Sequence, residues 1–261
     1  MKVATWNVNS LRVRLEQVVE WTGSAAPDIV GLQETKLTDD AFPEEALKEA
    51  GYHSVFSGQK TYNGVALLAR SETLDPPTDV VTDLPGLDDP QRRVMVATCG
   101  DVRVANLYVP NGNAVGSDKY EYKLGWLAAL RDFLEAELEK HPKLVVMGDF
   151  NIAPDDRDVH DPVEWEGAIL CSEPERNALG AITALGLSDA YRQFDQPEKS
   201  FSWWDYRAAG FRRNRGLRID LVLVSDALRD ALTECRIDVE PRTWERPSDH
   251  TPVVASFADD A

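Results

Sequence analysis

Eight short apolar runs set the terms for any fold this chain can take. They are KVATWNV (2–8), DIVGLQ (28–33), GVALLA (64–69), RVMVATC (93–99), VRVANLYV (102–109), KLVVMG (143–148), IDLVLVS (219–225) and PVVASF (252–257). Each is short and rich in Val, Ile or Leu, as sheet strands are. Longer stretches between them carry helical spacing. Residues 11–24 place Leu11, Leu15, Val18 and Val19 on one stripe, and residues 119–141 bring Leu124, Leu127, Leu130, Leu134 and Leu138 near the helical period. Residues 43–51 open on Pro43 and close on Gly51, as a short helix does. Gly100 and Asp101 join two of the runs as a hairpin-type turn. Antiparallel pairing therefore coexists with strand–helix–strand units. That predicts an α/β chain with mixed layering, more than one sheet, and one domain over residues 1–261. Segments 71–91 and 152–177, rich in Pro and Asp, read as long surface loops.

The bulk numbers narrow the class. With 261 residues, 43% hydrophobic and 28% charged, the chain can bury a sizeable core and is not of disordered composition. The three cysteines, Cys99, Cys171 and Cys235, are far apart and form no Cys-x-x-Cys, which argues against a disulfide framework or a structural zinc site. No stretch approaches the ~20 apolar residues of a membrane span. The N-terminal MKVATWNVNSLR lacks the apolar core of a signal peptide. The expected home is the cytosol, with no membrane partner. A formal charge of −17 argues, taken alone, against nucleic acid. Binding depends on the local field, however. Residues 207–218 hold five arginines, Arg207, Arg212, Arg213, Arg215 and Arg218. With Arg12, Lys36, Lys119 and Lys123 they would form one basic face on an acidic body.

Several runs end on polar groups. The first ends in Asn7 and Asn9, the second in Gln33 and Glu34, the fifth in Tyr108 and Asn111, the sixth in Asp149 and Asn151. Asp249 and His250 precede the last run, and Asp220 sits inside an apolar one. Singly, each has an ordinary reading as a turn, cap or exposed strand end. Asp220 is the exception. A carboxylate within Leu217–Val224 is expected to be partly buried and needs a partner. One of four histidines, His53, His141, His160 or His250, is the natural one.

Together, Glu34, Asp149, Asp220, Asp249, His250, Asn7, Asn151 and Tyr108 supply hard oxygen ligands, one imidazole, amides and a phenol. That inventory suits Mg²⁺ held by one or two carboxylates, with water and phosphate completing the shell. In such a site Asp149 would take a proton from an attacking water that Asn151 holds. His250, paired with Asp220, would stabilise charge on the phosphoryl oxygens. No G-x-x-x-x-G-K-[ST] phosphate loop is present, so a kinase or ATPase is disfavoured.

The segments TWNVNSLR, DIVGLQETK, NLYVPNG, VVMGDFNIAP, FSWWDYR, NRGLRIDLVLVS and RPSDHTPV occur in that order. In them the chain resembles the exonuclease/endonuclease/phosphatase superfamily, and within it the exonuclease III family of abasic-site DNA endonucleases. FSWWDYRAAGFRRNRGLRID is similar to the bacterial exonuclease III branch. The resemblance spans residues 1–257. It implies a four-layer α/β sandwich, two mixed sheets face to face with helices outside. It implies Glu34 as metal ligand with Asn7 and Asp249 near it, and Mg²⁺, or Mn²⁺ in its place. Asp149 is implied to activate water with Asn151 orienting, and His250–Asp220 and Tyr108 to act at the phosphate. For DNA it implies Arg12 and Asn111 at phosphates. Trp203, Leu217 and Ile219 would form a pocket for a flipped-out abasic sugar, and Arg207 would be an inserting residue.

The implied reaction is Mg²⁺-dependent cleavage of the DNA backbone 5′ to abasic sites, with 3′→5′ exonuclease and 3′-end trimming activity. The implied partner is double-stranded DNA with abasic sites or blocked 3′ ends, the protein acting as a monomer. Two rivals are weaker. A superfamily member acting on RNA, phosphoinositides or sphingomyelin does not account for the arginines beside SWWDYR. An inert binding protein does not account for every implied catalytic position being filled.

Overall fold

The computed structural model describes residues 1–258; residues 259–261, the end of the expected domain, lie outside the described residues. The described residues form two six-stranded sheets and a short two-stranded ribbon. The first sheet contains β1 (Lys2–Asn7), β2 (Ile29–Gln33), β3 (Tyr52–Ser57), β4 (Val65–Arg70), β13 (Leu232–Ile237) and β14 (Val253–Phe257), in the spatial order β13-β14-β1-β2-β4-β3. The second contains β5 (Thr78–Val81), β6 (Val94–Cys99), β7 (Val102–Tyr108), β8 (Leu144–Asp149), β9 (Leu187–Asp189) and β12 (Asp220–Ser225), in the order β5-β6-β7-β8-β12-β9. The ribbon pairs β10 (Trp203–Trp204) with β11 (Gly216–Leu217). Both large sheets are mixed: β1–β2 and β7–β8 are parallel and the other pairs antiparallel.

Strand alternation builds the layers. In β1, Val3 joins the central cluster while Ala4 and Trp6 point to the other face. In β8, Val145 and Met147 point to the centre, and Leu144 and Val146 outward. The central cluster draws Val3, Ile29 and Leu67 from the first sheet and Met95, Val104 and Val222 from the second, so the sheets lie face to face. Outside the first sheet pack α1 (Leu11–Ala25) and α2 (Glu44–Glu49). Outside the second pack α3 (Asp118–Lys140) and α4 (Glu173–Thr183). A short α5 (Asp226–Arg229) follows β12. The expected four-layer sandwich of two mixed sheets with flanking helices is the observed fold. Among the described residues, no helix is long and apolar enough to cross a membrane.

Between the sheets the apolar packing gives way to polar groups towards one end. Asn106 donates from its amide to the carbonyls of Leu32 (3.0 Å) and Ala66 (2.8 Å) on the opposite sheet. Gln33 donates to Asn106 Oδ1 (2.6 Å) and to Thr5 Oγ1 (2.9 Å). Gly31 makes room for this clasp: a Cβ there would lie 2.7 Å from Asn106 Oδ1. Next along the same inward faces come Asn7, Tyr108, Asp149 and Asp220, at one end of β1, β7, β8 and β12.

All eight predicted strands form, as do the three predicted helices and the Gly100–Asp101 hairpin, where Cys99 faces Val102. Two loop assignments need correction. Segment 71–91 contains the edge strand β5, and 152–177 contains the start of α4. Both elements sit at the periphery and bury few apolar side chains, which is why their sequences read as loop.

Gly148 in β8 shows how tightly the site's end of the second sheet is drawn. A Cβ at Gly148 would fall 1.9 Å from the carbonyl oxygen of Leu107 on β7, and the residue holds φ 151°. Gly148→Ala must push β8 from β7 at the step before Asp149. We expect a loss of about 3 kcal/mol, read as a lower urea midpoint; an unchanged midpoint would show that the strands separate there freely.

Candidate active site

Asn7 makes a further polar contact between the two sheets. Its side-chain oxygen accepts the backbone N–H of Asn9 (3.0 Å), which turns its amide nitrogen towards the carboxylates. That nitrogen donates to Glu34 Oε1 and to Asp149 Oδ2, both at 2.9 Å. Asn7 therefore clamps two carboxylates together, with its amide N–H groups turned towards them. Glu34 follows β2 and by alternation would face away from the centre. Its backbone takes φ 51°, which turns the chain at the strand end. Its other oxygen lies 3.1 Å from the Lys36 ammonium.

Asp149 and Asp220 face each other across β8 and β12, both sealed from solvent. Like charges opposite one another repel, and a buried carboxylate needs compensation. His250 supplies it. Its Nδ1 lies 2.9 Å from Asp220 Oδ2, and its Nε2 lies 3.7 Å from Asp149 Oδ2. Burial lowers the imidazole's pKa, but the Asp220 and Asp149 carboxylates outweigh it and push His250 up to about 10. Burial pushes Asp149 upward and Asp220 adds to that, against the pull of His250. Glu34 goes the other way: burial opposes its charge, yet Lys36, Asn7 and His250 hold it below the usual carboxylate range. Burial, then Glu34 and Asp149, raise Tyr108 well above the usual phenol, so it remains a donor. Arg93 sits over the Tyr108 ring at 4.8 Å.

Asn151 follows Asp149 with φ 48°. Its N–H donates to Asp149 Oδ1 (2.9 Å), its side chain donates to Val109 O (2.9 Å), and Asn111 donates to its Oδ1 (3.2 Å). Asp249 precedes His250 in the chain. It accepts from Asn9 Nδ2 and from the Trp203 indole, both at 3.1 Å. Within the described residues the potential cation ligands that converge are Glu34, Asp149 and His250, each with an atom within 4.8 Å of the others. Two carboxylates, one partly open to solvent, beside a buried imidazole fit a hard cation that keeps several waters.

The predicted DNA-facing residues divide. Arg12, Arg207 and Asn111 are exposed, and Trp203 is half-buried. Leu217 is 0% exposed and Ile219 2%, packed with Val159 and Leu170 behind Trp203. Trp203 rests half-buried against that cluster. Trp204 is core, edge-on to Phe211. The expected basic face is also smaller. Arg218 is buried against Asp158 and Asp189, Arg215 pairs with Glu164, and Lys123 is fully buried against Glu175. Arg212 and Arg213 remain exposed beside Arg207. A cleft of about 360 Å³ lined by Arg93, Asn111, Lys119 and Tyr122 adjoins the site.

Two side chains escaped the sequence reading. Ser202 donates to Asp220 Oδ2 (2.7 Å) and accepts the N–H groups of Ile219 and Asp220 (3.1 Å each), fixing the carboxylate that faces His250. Ser248 donates to Asn7 O (2.6 Å) and accepts the His250 N–H (3.2 Å). Both lie inside quoted motifs, but a serine between aromatics, or before Asp-His, carries no pattern of its own.

The raised His250 pKa fixes a pH dependence. A group whose folded pKa exceeds its unfolded value stabilises fully below the unfolded value and loses that contribution as pH rises through the folded one. In EDTA, stability should therefore fall between pH 6.5 and about 10. His250→Asn should flatten that part of the curve. Parallel curves for the two proteins would remove the buried imidazolium.

The chain matches the endonuclease/exonuclease/phosphatase family over residues 4–250. It is 36% identical to exodeoxyribonuclease III of Haemophilus influenzae over 98% of this chain and 100% of that protein. Among solved structures it is similar to the 3′ phosphatase NExo from Neisseria bound to product DNA hairpin. The TM-score is 0.95 at 51% identity, over 98% of this chain and 99% of that one. It is also similar to an AP endonuclease from Archaeoglobus fulgidus, with a TM-score of 0.93 at 38% identity, over 98% and 99%.

Proposed function

Because the chain belongs to the exonuclease III/AP endonuclease family and is a phosphodiester-hydrolysing DNA repair nuclease of that kind, we propose the following finer reading. It cleaves double-stranded DNA 5′ to abasic sites, and trims and degrades 3′ ends. Mg²⁺, or Mn²⁺, is its cofactor, and residues 1–261 are one domain. The observation that carries it is the clamp at the sheet ends, where one amide of Asn7 joins Glu34 to Asp149. The same Asp149 oxygen lies 3.7 Å from His250 Nε2.

Glu34 and Asp149 are the residues that would hold the cation. Bound there, it supplies positive charge against the phosphate oxygens. The protein's own groups do the rest. Asp149 accepts the proton of the attacking water, and Asn151, fixed by Val109 and Asn111, orients that water. The imidazolium of His250, kept protonated by Asp220, donates to a phosphoryl oxygen as negative charge builds there. Tyr108 remains a phenol and donates to the same group. Arg12, Asn111 and Arg207 contact the DNA, and Trp203 meets the sugar at the lesion.

The NExo relatives carry 3′ phosphatase and 3′–5′ exonuclease names, whereas the Archaeoglobus one is an AP endonuclease. The higher identity to the 3′ phosphatase NExo, 51% against 38% for the AP endonuclease, favours 3′-end work as the stronger activity. Three labelled duplexes separate the activities: one with an internal abasic site, one with a 3′-phosphate, one intact and blunt. Each is incubated in Mg²⁺ and in EDTA. Removal of the 3′-phosphate should be fastest, with slower incision 5′ to the abasic site. Asp149→Asn should reduce every reaction by about 10³-fold or more. Undiminished turnover by that variant would refute the assigned role of Asp149. Inertness of all three substrates towards the wild type would refute the proposed reactions.

A further inference from the structure

Lys123 lies on α3 and is 0% exposed, as is Glu175 on α4. The two form an ion pair. Fastening two helices needs only that pair, yet only one of the ammonium's three protons goes to Glu175. The other two go to backbone carbonyls: Asn151 O at 2.6 Å and Asn111 O at 3.1 Å. All three donors of the lysine are thereby used. The two carbonyls belong to the loops that leave β8 and β7, the loops that carry the site's amides.

The backbone explains why a cation is needed there. Asn151 holds φ 48°, a left-handed conformation that costs a non-glycine residue energy. Its carbonyl points into the protein beneath the site, where an unpaired acceptor is expensive. Glu175 completes the device from below. Its oxygens accept the N–H groups of Leu170 (3.1 Å) and Ser172 (3.2 Å) and the Ser172 hydroxyl (2.6 Å). Leu170 belongs to the apolar cluster behind Trp203 and is itself left-handed, with φ 72°. Its carbonyl accepts the N–H of Ala153 (2.8 Å). One buried ion pair thus grips the Asn111 loop, the Asn151 turn and the segment that backs the pocket.

We infer that Lys123 is a positioning residue: its ammonium sets the Asn151 turn, and through it the side-chain amide that orients the attacking water, while Glu175 holds Lys123 in place. The inference rests on the role proposed for Asn151. Lys123 touches no substrate, so its loss acts first on the reacting geometry and reaches DNA binding only through the Asn111 loop.

The test uses three variants of the full chain: Lys123→Met, Glu175→Gln and the double variant Lys123→Met/Glu175→Gln. Rates are read on the 3′-phosphate duplex as kcat and KM, alongside thermal midpoints. Lys123→Met leaves a buried carboxylate without its cation and lowers the midpoint; the double variant removes both charges and recovers part of it. Glu175→Gln keeps the lysine's carbonyl bonds and should hold kcat within about threefold of wild type. The double variant should lose about a hundredfold in kcat, the scale of a small misplacement at a reacting centre, with a far smaller change in KM through the Asn111 loop. A double variant with wild-type kcat, or one that loses only KM, overturns the inference and leaves the pair as a helix fastener. Asn151→Ala run in parallel separates the two failures. If that variant turns over like wild type, the role of Asn151 is wrong; if it is slow while the double variant is fast, only the role of Lys123 is.

Discussion

Two carboxylates stand opposite each other across β8 and β12 in a place that water does not reach. Such a pair does not persist ionised without a cation between them, and His250 is that cation. Much of the local structure follows from keeping the imidazole there. Ser202 orients Asp220, Ser248 ties the His250 backbone to Asn7, and the Trp6 indole donates to the His250 carbonyl. The Asn7 amide then carries the arrangement across to the other sheet through Asp149 and Glu34. The site is thus one electrostatic unit that spans the sandwich.

That unit depends on the distance between the sheets being fixed. A purely apolar interface would leave it adjustable by small repacking. Asn106 removes the freedom by bonding to two carbonyls of the opposite sheet, one on each side of the β2–β4 pairing. Gln33, next in sequence to Glu34, is bonded to Asn106 in turn. The polar band under the site therefore sets spacing, and the apolar core beyond it supplies the burial that makes the spacing affordable.

Legibility in the sequence followed burial. Strands buried on both faces, such as β4 and β8, announced themselves as unbroken apolar runs. The edge strands β3, β5 and β13, and the two-residue ribbon, did not, because an edge exposes residues like Thr233 and Glu234 to water. At the site, residue types and order pointed to Glu34, Asp149, Asp220 and His250, which do meet. What the sequence hid was the direction of the Asn7 amide, the sealed state of Leu217 and Ile219, and the burial of Lys123 and Arg218. Lys123 did leave a trace: it falls in step with Tyr120, Leu127 and Leu130 on the buried face of α3, where an unpaired charge has no place. Its partner, fifty-two positions on, carried no matching sign.

The inward alternation of β1, β7, β8 and β12 has a consequence for how such a chain can change over time. Asn7, Tyr108, Asp149 and Asp220 are each reached by counting in twos from the apolar centre. Adding or deleting one residue within any of these strands would turn its terminal group through the sheet to the helical side. Loops between them can lengthen or shorten without that penalty. Divergence among relatives should therefore collect length differences in the connections, while strand lengths below the site stay fixed even as their side chains are exchanged.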